Sequence, residues 1–194
     1  PEGFFMMAES GKIDWAEHAN DGVTTMVEVI QFQEAIQSAV DFYNEHSDDT
    51  LIVVTADHST GGFTIGNSST GYETYFDLLT NQKGSQVAFQ EKVKSALETN
   101  SNLSFEEFAS QITAFFGLVL DPNAPAETGT EAAVEAYKEQ QESNRLICSQ
   151  EEYQELKTAF EESKKASEEQ NVQYGGYDPV SITATHILDK KAGL

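Results

Sequence analysis

Thirteen consecutive residues, Thr50 to Gly62, constrain this chain more than any other stretch: Thr-Leu-Ile-Val-Val-Thr-Ala-Asp-His-Ser-Thr-Gly-Gly. Five of the six residues from Leu51 to Ala56 are apolar and do not alternate with polar ones. Such a run predicts a strand buried on both faces, as in a parallel sheet. It ends in Asp57-His58, then small residues and two glycines. The carboxyl end of a strand is where open α/β sheets place their chemistry. A carboxylate beside an imidazole is either a hydrogen-bonded pair or two metal ligands. Taken alone, the pair reads equally well as a strand-end turn in which Asp57 caps a helix.

An upstream segment shifts that balance. Gly3 to Ala8 (Gly-Phe-Phe-Met-Met-Ala) reads as a second short buried strand, ending at Glu9 before the turn signal Ser10-Gly11. Asp14 and His18 follow. Residues four apart stack on one helix face, so a helical turn there presents both side chains together. From Thr24 to Glu45 apolar residues recur at three- and four-residue steps, the pattern of an amphipathic helix. Strand, helix, strand predicts a right-handed parallel βαβ unit with both strands ending on one side. Glu9, Asp14, His18, Asp57 and His58 are then expected to converge at one sheet edge.

After Gly66 the character changes. Phe89, Val93, Ala96 and Leu97 share one helical face. Ser104-Phe105-Glu106-Glu107 and Ser149-Gln150-Glu151-Glu152 both fit capping boxes. The first opens a helix whose face is Phe105, Phe108, Ile112, Phe115 and Phe116, with Gly117 as its stop. A further helix is expected from Thr130 to Glu142. The helix opened by Ser149 becomes almost wholly charged toward Gln170. Val180 to Lys191 reads as helical again. The expected organisation is a partial α/β metal-site core from residues 1–66 and 175–194, with a mainly helical insertion at 67–174.

The 194 residues carry a formal net charge of −22. This argues against nucleic acid, whose binding needs a basic footprint, and against anionic membranes. It does not exclude a phosphorylated substrate, because bound divalent metals reverse the local field. No apolar run approaches the roughly 20 residues of a membrane span. The chain opens on Pro1-Glu2-Gly3 with neither an initiating Met nor a signal peptide, so an excised fragment is expected. The single cysteine, Cys148, allows no internal disulfide. His46 and His186 read as surface or structural residues, and Ser59 and Thr60 as small turn residues.

The first motif is a strand, Glu9, then Asp14-x-x-x-His18. The second is a buried strand ending Thr55-Ala56-Asp57-His58, one helix later. In this order they resemble the alkaline phosphatase family, over roughly the first third of the chain. The resemblance implies hydrolysis of phosphate monoesters at a two-zinc plus magnesium site. The residue matching Glu9 would ligate magnesium, those matching Asp14 and His18 one zinc, and those matching Asp57 and His58 the other. The serine nucleophile, a metal-bridging aspartate and the phosphate-gripping arginine would lie upstream, and the last zinc histidine shortly after Leu194. The only arginine present, Arg145, falls in the insertion. By resemblance the insertion forms a crown-like cap, and the parent protein is periplasmic or extracellular and open to homodimer formation. The fragment alone is expected to be inactive. The alternatives are a metal-dependent phosphomutase or phosphodiesterase of the same superfamily, and a non-catalytic interaction module.

Overall fold

The computed structural model describes residues 3–166 and 169–194. Ser167 and Glu168, in the stretch where the charged helix was expected to fade toward Gln170, lie outside it. By contacts the chain divides into two compact units, Pro1–Phe63 and Thr64–Leu194. Each is described by itself.

The expected parallel sheet is not formed. Among the described residues there is no strand, and the chain is mainly helical. Gly3 to Ala8 and Leu51 to Ala56 are neither helical nor paired. Their apolar side chains are exposed: Phe5 92%, Met7 78%, Leu51 87% and Val53 73%. An apolar run expresses a preference for burial. A strand additionally requires a neighbouring backbone about 4.8 Å away to take its amides and carbonyls, and neither segment has one here. The nearest approach to a ladder is an isolated parallel bridge between Val119 and Ile147.

In the first unit, α1 (Gly11–His18) and the 24-residue α2 (Gly22–Glu45) pack against each other around a tight corner. Asn20 takes a positive φ of 47° there, a conformation that Asn adopts more readily than most residues. Buried Asp21 then caps α2. Its carboxylate accepts the Thr24 amide at 3.0 Å and the Thr24 hydroxyl at 2.6 Å. Such a cap contributes about 1 kcal/mol. It fixes the entry angle of α2 relative to the end of α1, and therefore the place of His18.

The second unit is a helical assembly: α3 (Phe76–Leu79), α4 (Gln86–Thr99), α5 (Phe105–Phe116), α6 (Glu131–Ser143), α7 (Gln150–Ser163) and α8 (Pro179–Ala192). Both capping boxes form as the sequence predicts, Ser104 with Glu107 and Ser149 with Glu152. The apolar face of α5 is fully used. Phe108 stacks on Phe160 of α7 with ring centroids 4.9 Å apart, and Phe116 meets Phe89 of α4 edge-on at 4.9 Å. Burying each such ring contributes roughly 1.5–3 kcal/mol.

At the centre stands α8. It packs on α3, α4, α5 and α7, and polar as well as apolar side chains along it are buried. Three of its buried polar residues, Ser181, Thr185 and Lys191, have defined partners. Ser181 Oγ accepts from Gln86 Nε2 at 2.5 Å, and the Thr185 hydroxyl donates to the Ser181 carbonyl. Lys191 Nζ lies 2.7 Å from Glu152 Oε2. The helix ends at Gly193, whose φ of 87° and close backbone neighbours admit no side chain: a Cβ would meet the Glu73 carbonyl oxygen at 2.3 Å.

Candidate metal site

Four of the five expected residues meet within the first unit, at the exposed end of α1. Asp14 and His18, one turn apart on α1, face each other with His18 Nε2 3.6 Å from Asp14 Oδ1. The polypeptide after α2 returns along Leu51 to Ala56 and turns at Asp57. This places His58 Nε2 3.8 Å from the same Asp14 oxygen and 3.7 Å from Asp57 Oδ2. Asp14, His18, Asp57 and His58 are brought near one another without a sheet, through the α1–α2 corner and the glycine turn that lies on it, and Glu9 is not among them.

That turn has a local cause. Gly61 has φ of +68°, and the space on its Cβ side is bounded at 3.4 Å by Asn20 Oδ1 and the Glu17 carbonyl. The Gly62 amide donates back to the Thr60 carbonyl at 2.8 Å. The Thr60 side chain is thereby tucked inward, only 7% exposed. Its hydroxyl donates to Asp14 Oδ1 at 2.5 Å and lies 3.0 Å from His58 Nδ1. Sequence reasoning passed over Thr60 as a turn residue. The signal that pointed to it was its place beside the two glycines, which force the turn back on itself.

Glu9 stands apart. It is exposed and folds over the start of α1, where a Cβ on Gly11 would meet Glu9 Oε1 at 3.2 Å. Asp57 is also open to solvent, its side chain 91% exposed. His46 is exposed at the end of α2, with its ring against Phe42. In the second unit, Arg145 donates to the Tyr75 hydroxyl at 2.7 Å and lies over the Tyr75 ring.

Chemically, two imidazoles and two carboxylates form a zinc-type donor set. Two donors each about 2.0–2.1 Å from a tetrahedral zinc stand roughly 3.3 Å apart. The Asp14–His18 and Asp57–His58 separations of 3.6 and 3.7 Å lie a few tenths of an ångström beyond that. Among the described residues, however, no three such donors close around one ion-sized point. The arrangement is two Asp–His pairs joined through Asp14, rather than a finished site.

The alkaline phosphatase family model matches residues 1–184. This chain belongs to the alkaline phosphatase family. It is 51% identical over 65 residues to alkaline phosphatase 4 of Bacillus subtilis, an alignment covering 34% of this chain and 14% of that protein. With alkaline phosphatase 3 of the same organism it shares 37% identity over 102 residues, 53% of this chain and 22% of the relative. The repressible alkaline phosphatase of Saccharomyces cerevisiae matches at 37% over 83 residues, 41% of this chain and 15% of the relative. The chain thus spans less than a quarter of the length of these alkaline phosphatases. No solved structure matches it significantly.

Proposed function

We propose that this chain is the ligand-bearing part of a metal-dependent alkaline phosphatase that hydrolyses phosphate monoesters. In this reading Asp14 and His18 serve one zinc, Asp57 and His58 a second, and Glu9 a magnesium. The serine nucleophile comes from outside these 194 residues. The observation that carries the reading is the facing of the two Asp–His pairs, with both Nε2 atoms turned toward carboxylate oxygens at 3.6 and 3.7 Å. Family membership supports it, as does the donor chemistry.

When bound, zinc supplies Lewis-acid polarisation of phosphoryl oxygen and lowers the pKa of coordinated water. The residues of this chain contribute geometry and charge. Asp14 and Asp57 neutralise part of the dication charge, and the imidazoles of His18 and His58 supply neutral donors. The corner capped by Asp21 keeps the first pair at a fixed distance from the second. The exposure of the site gives a phosphate ester direct access. By family resemblance the full-length protein is assigned outside the cytoplasm, periplasmic or extracellular, and is open to homodimer formation.

Each pair alone falls short of the three protein ligands usual for catalytic zinc. The isolated chain is therefore expected to bind zinc weakly, with affinity rising with pH as ligands lose protons, and to leave p-nitrophenyl phosphate intact. Zinc titration in competition with a chromophoric chelator tests the first point, with Asp14→Asn and Asp57→Asn each lowering the affinity. Absence of any zinc binding by the parent chain would overturn the ligand assignment. Ester turnover abolished by Asp57→Asn would place a nucleophile within these residues.

A further inference from the structure

We infer that Thr60 is the positioning residue of this site: it sets the tautomer of His58 and holds the two Asp–His pairs together. The inference rests on the zinc-ligand reading above for its consequence, but its structural half stands on proton bookkeeping alone. A threonine hydroxyl has one hydrogen and two lone pairs. At Thr60 that hydrogen goes to Asp14 Oδ1, since an ionised carboxylate only accepts. The contact with His58 Nδ1 at 3.0 Å must therefore run the other way, with the ring Nδ1–H donating to the Thr60 oxygen. A neutral imidazole carries one N–H, so Nε2 keeps its lone pair. Nε2 is the atom turned toward Asp14 and Asp57, at 3.8 and 3.7 Å.

Thr60 thus performs two tasks with one oxygen. It leaves the His58 Nε2 lone pair on the side of Asp14 and Asp57, and it orients the Asp14 carboxylate that both histidines face. A ligating histidine commonly has its other ring nitrogen fixed by a hydrogen bond, and loss of that partner lowers metal affinity roughly 10- to 100-fold. The placement is built in. Thr60 is buried while His18, Asp57 and His58 around it are exposed and Asp14 is half-buried, and Gly61 at φ +68° lets the chain make the turn that inserts it. The same geometry excludes Thr60 as a nucleophile, because its proton is committed to Asp14 and its oxygen accepts from His58.

The test uses the full chain without metal, at alkaline pH where imidazole is neutral. Long-range nitrogen–proton correlation spectra report which ring nitrogen of His58 is protonated. The parent chain and Thr60→Ser are expected to show the Nδ1–H form. Thr60→Val, similar in shape but without a hydroxyl, is expected to lose that preference. Zinc affinity measured alongside should fall roughly 10- to 100-fold in Thr60→Val and stay within a few-fold of the parent in Thr60→Ser. A parent chain with His58 protonated on Nε2 would overturn the inference, even if Thr60→Val failed to fold. So would a Thr60→Val chain with an unchanged tautomer, or one with parental zinc affinity. A parent chain that binds no zinc but shows the Thr60-dependent Nδ1–H form would sink the ligand reading and leave the tautomer assignment standing.

Discussion

Lys191 Nζ and Glu152 Oε2 are 2.7 Å apart, with side chains only 3% and 2% exposed. Glu152 is also the capping-box carboxylate of α7, accepting the Ser149 amide at 3.0 Å. One side chain therefore closes the start of α7 and anchors the end of α8. The partners are unequally supported. Glu152 has a second cation, Lys190, at 3.6 Å, whereas the further support of Lys191 is the Ile147 carbonyl at 3.0 Å.

The first prediction follows from that asymmetry. Glu152→Gln strands a buried ammonium and weakens the cap, and should lower stability by roughly 3–5 kcal/mol. Lys191→Met leaves Glu152 with Lys190 and should cost less, about 1–3 kcal/mol. Urea unfolding of the two variants checks the order. A larger loss for Lys191→Met would mean that Lys190 does not compensate.

A second prediction concerns the aromatic core. Phe108 is wholly buried and stacked on Phe160. Phe108→Ala removes the ring from a site enclosed by Phe89 and Phe160, and should destabilise the second unit by about 3–5 kcal/mol. An unchanged unfolding midpoint would contradict this packing.

The third concerns acid. Burial opposes ionisation of Glu151, but its carboxylate accepts from the Thr128 hydroxyl and from the amides of Glu127 and Thr128, which hold its pKa at about 2. A carboxylate depressed in the folded state stabilises fully above its unfolded pKa, near 4.3. That contribution is lost as pH falls through about 2. Discounted for solvent screening, it amounts to about 1–2 kcal/mol. Glu151→Gln should lose this increment at neutral pH, and the difference from the parent should shrink on acidification. A difference independent of pH would show that the hydrogen bonds, and not the charge, matter.

The fourth concerns Cys148. Burial pushes its thiol up to about 12, with the nearby Glu152 charge acting in the same direction. The thiolate is the form that attacks a disulfide reagent, releasing the reagent's other sulfur as thiolate, and it is then scarce in mildly alkaline buffer. The native chain should react slowly with such a reagent and the urea-unfolded chain rapidly. Equal rates would place the thiol at the surface.

The helices with explicit caps were the legible part of this fold. Ser104 with Glu107 and Ser149 with Glu152 are local devices, and local devices are written in short spans of sequence. The two apolar runs misled because a strand is defined by a partner, which no run contains. α8 was read as a helix, but its central place was hidden. Ser181, Thr183, Thr185, Asp189 and Lys191 break any apolar stripe, yet all five are buried. At the site, the type and spacing of Asp14, His18, Asp57 and His58 announced a cluster. Glu9 did not join it, since its exposed side chain folds over the start of α1 at Gly11. Thr60 was missed because a hydroxyl in a turn is common, and its bridging role depends on the fold of the α1–α2 corner.

The enclosure of α8 also sets an order in time. Gln86 of α4 and Ser181 of α8, in direct contact, are 95 residues apart in the chain. A ribosome adding about 5–20 residues per second releases them roughly 5–20 s apart. Through that interval α3 and α4, joined in turn by α5 and then α7, lack the helix on which they pack, and their apolar faces meet water or one another. Such delayed long-range closure slows folding and exposes intermediates to association. The second unit is therefore completed only when α8 has been released, and until then its apolar faces are open to association.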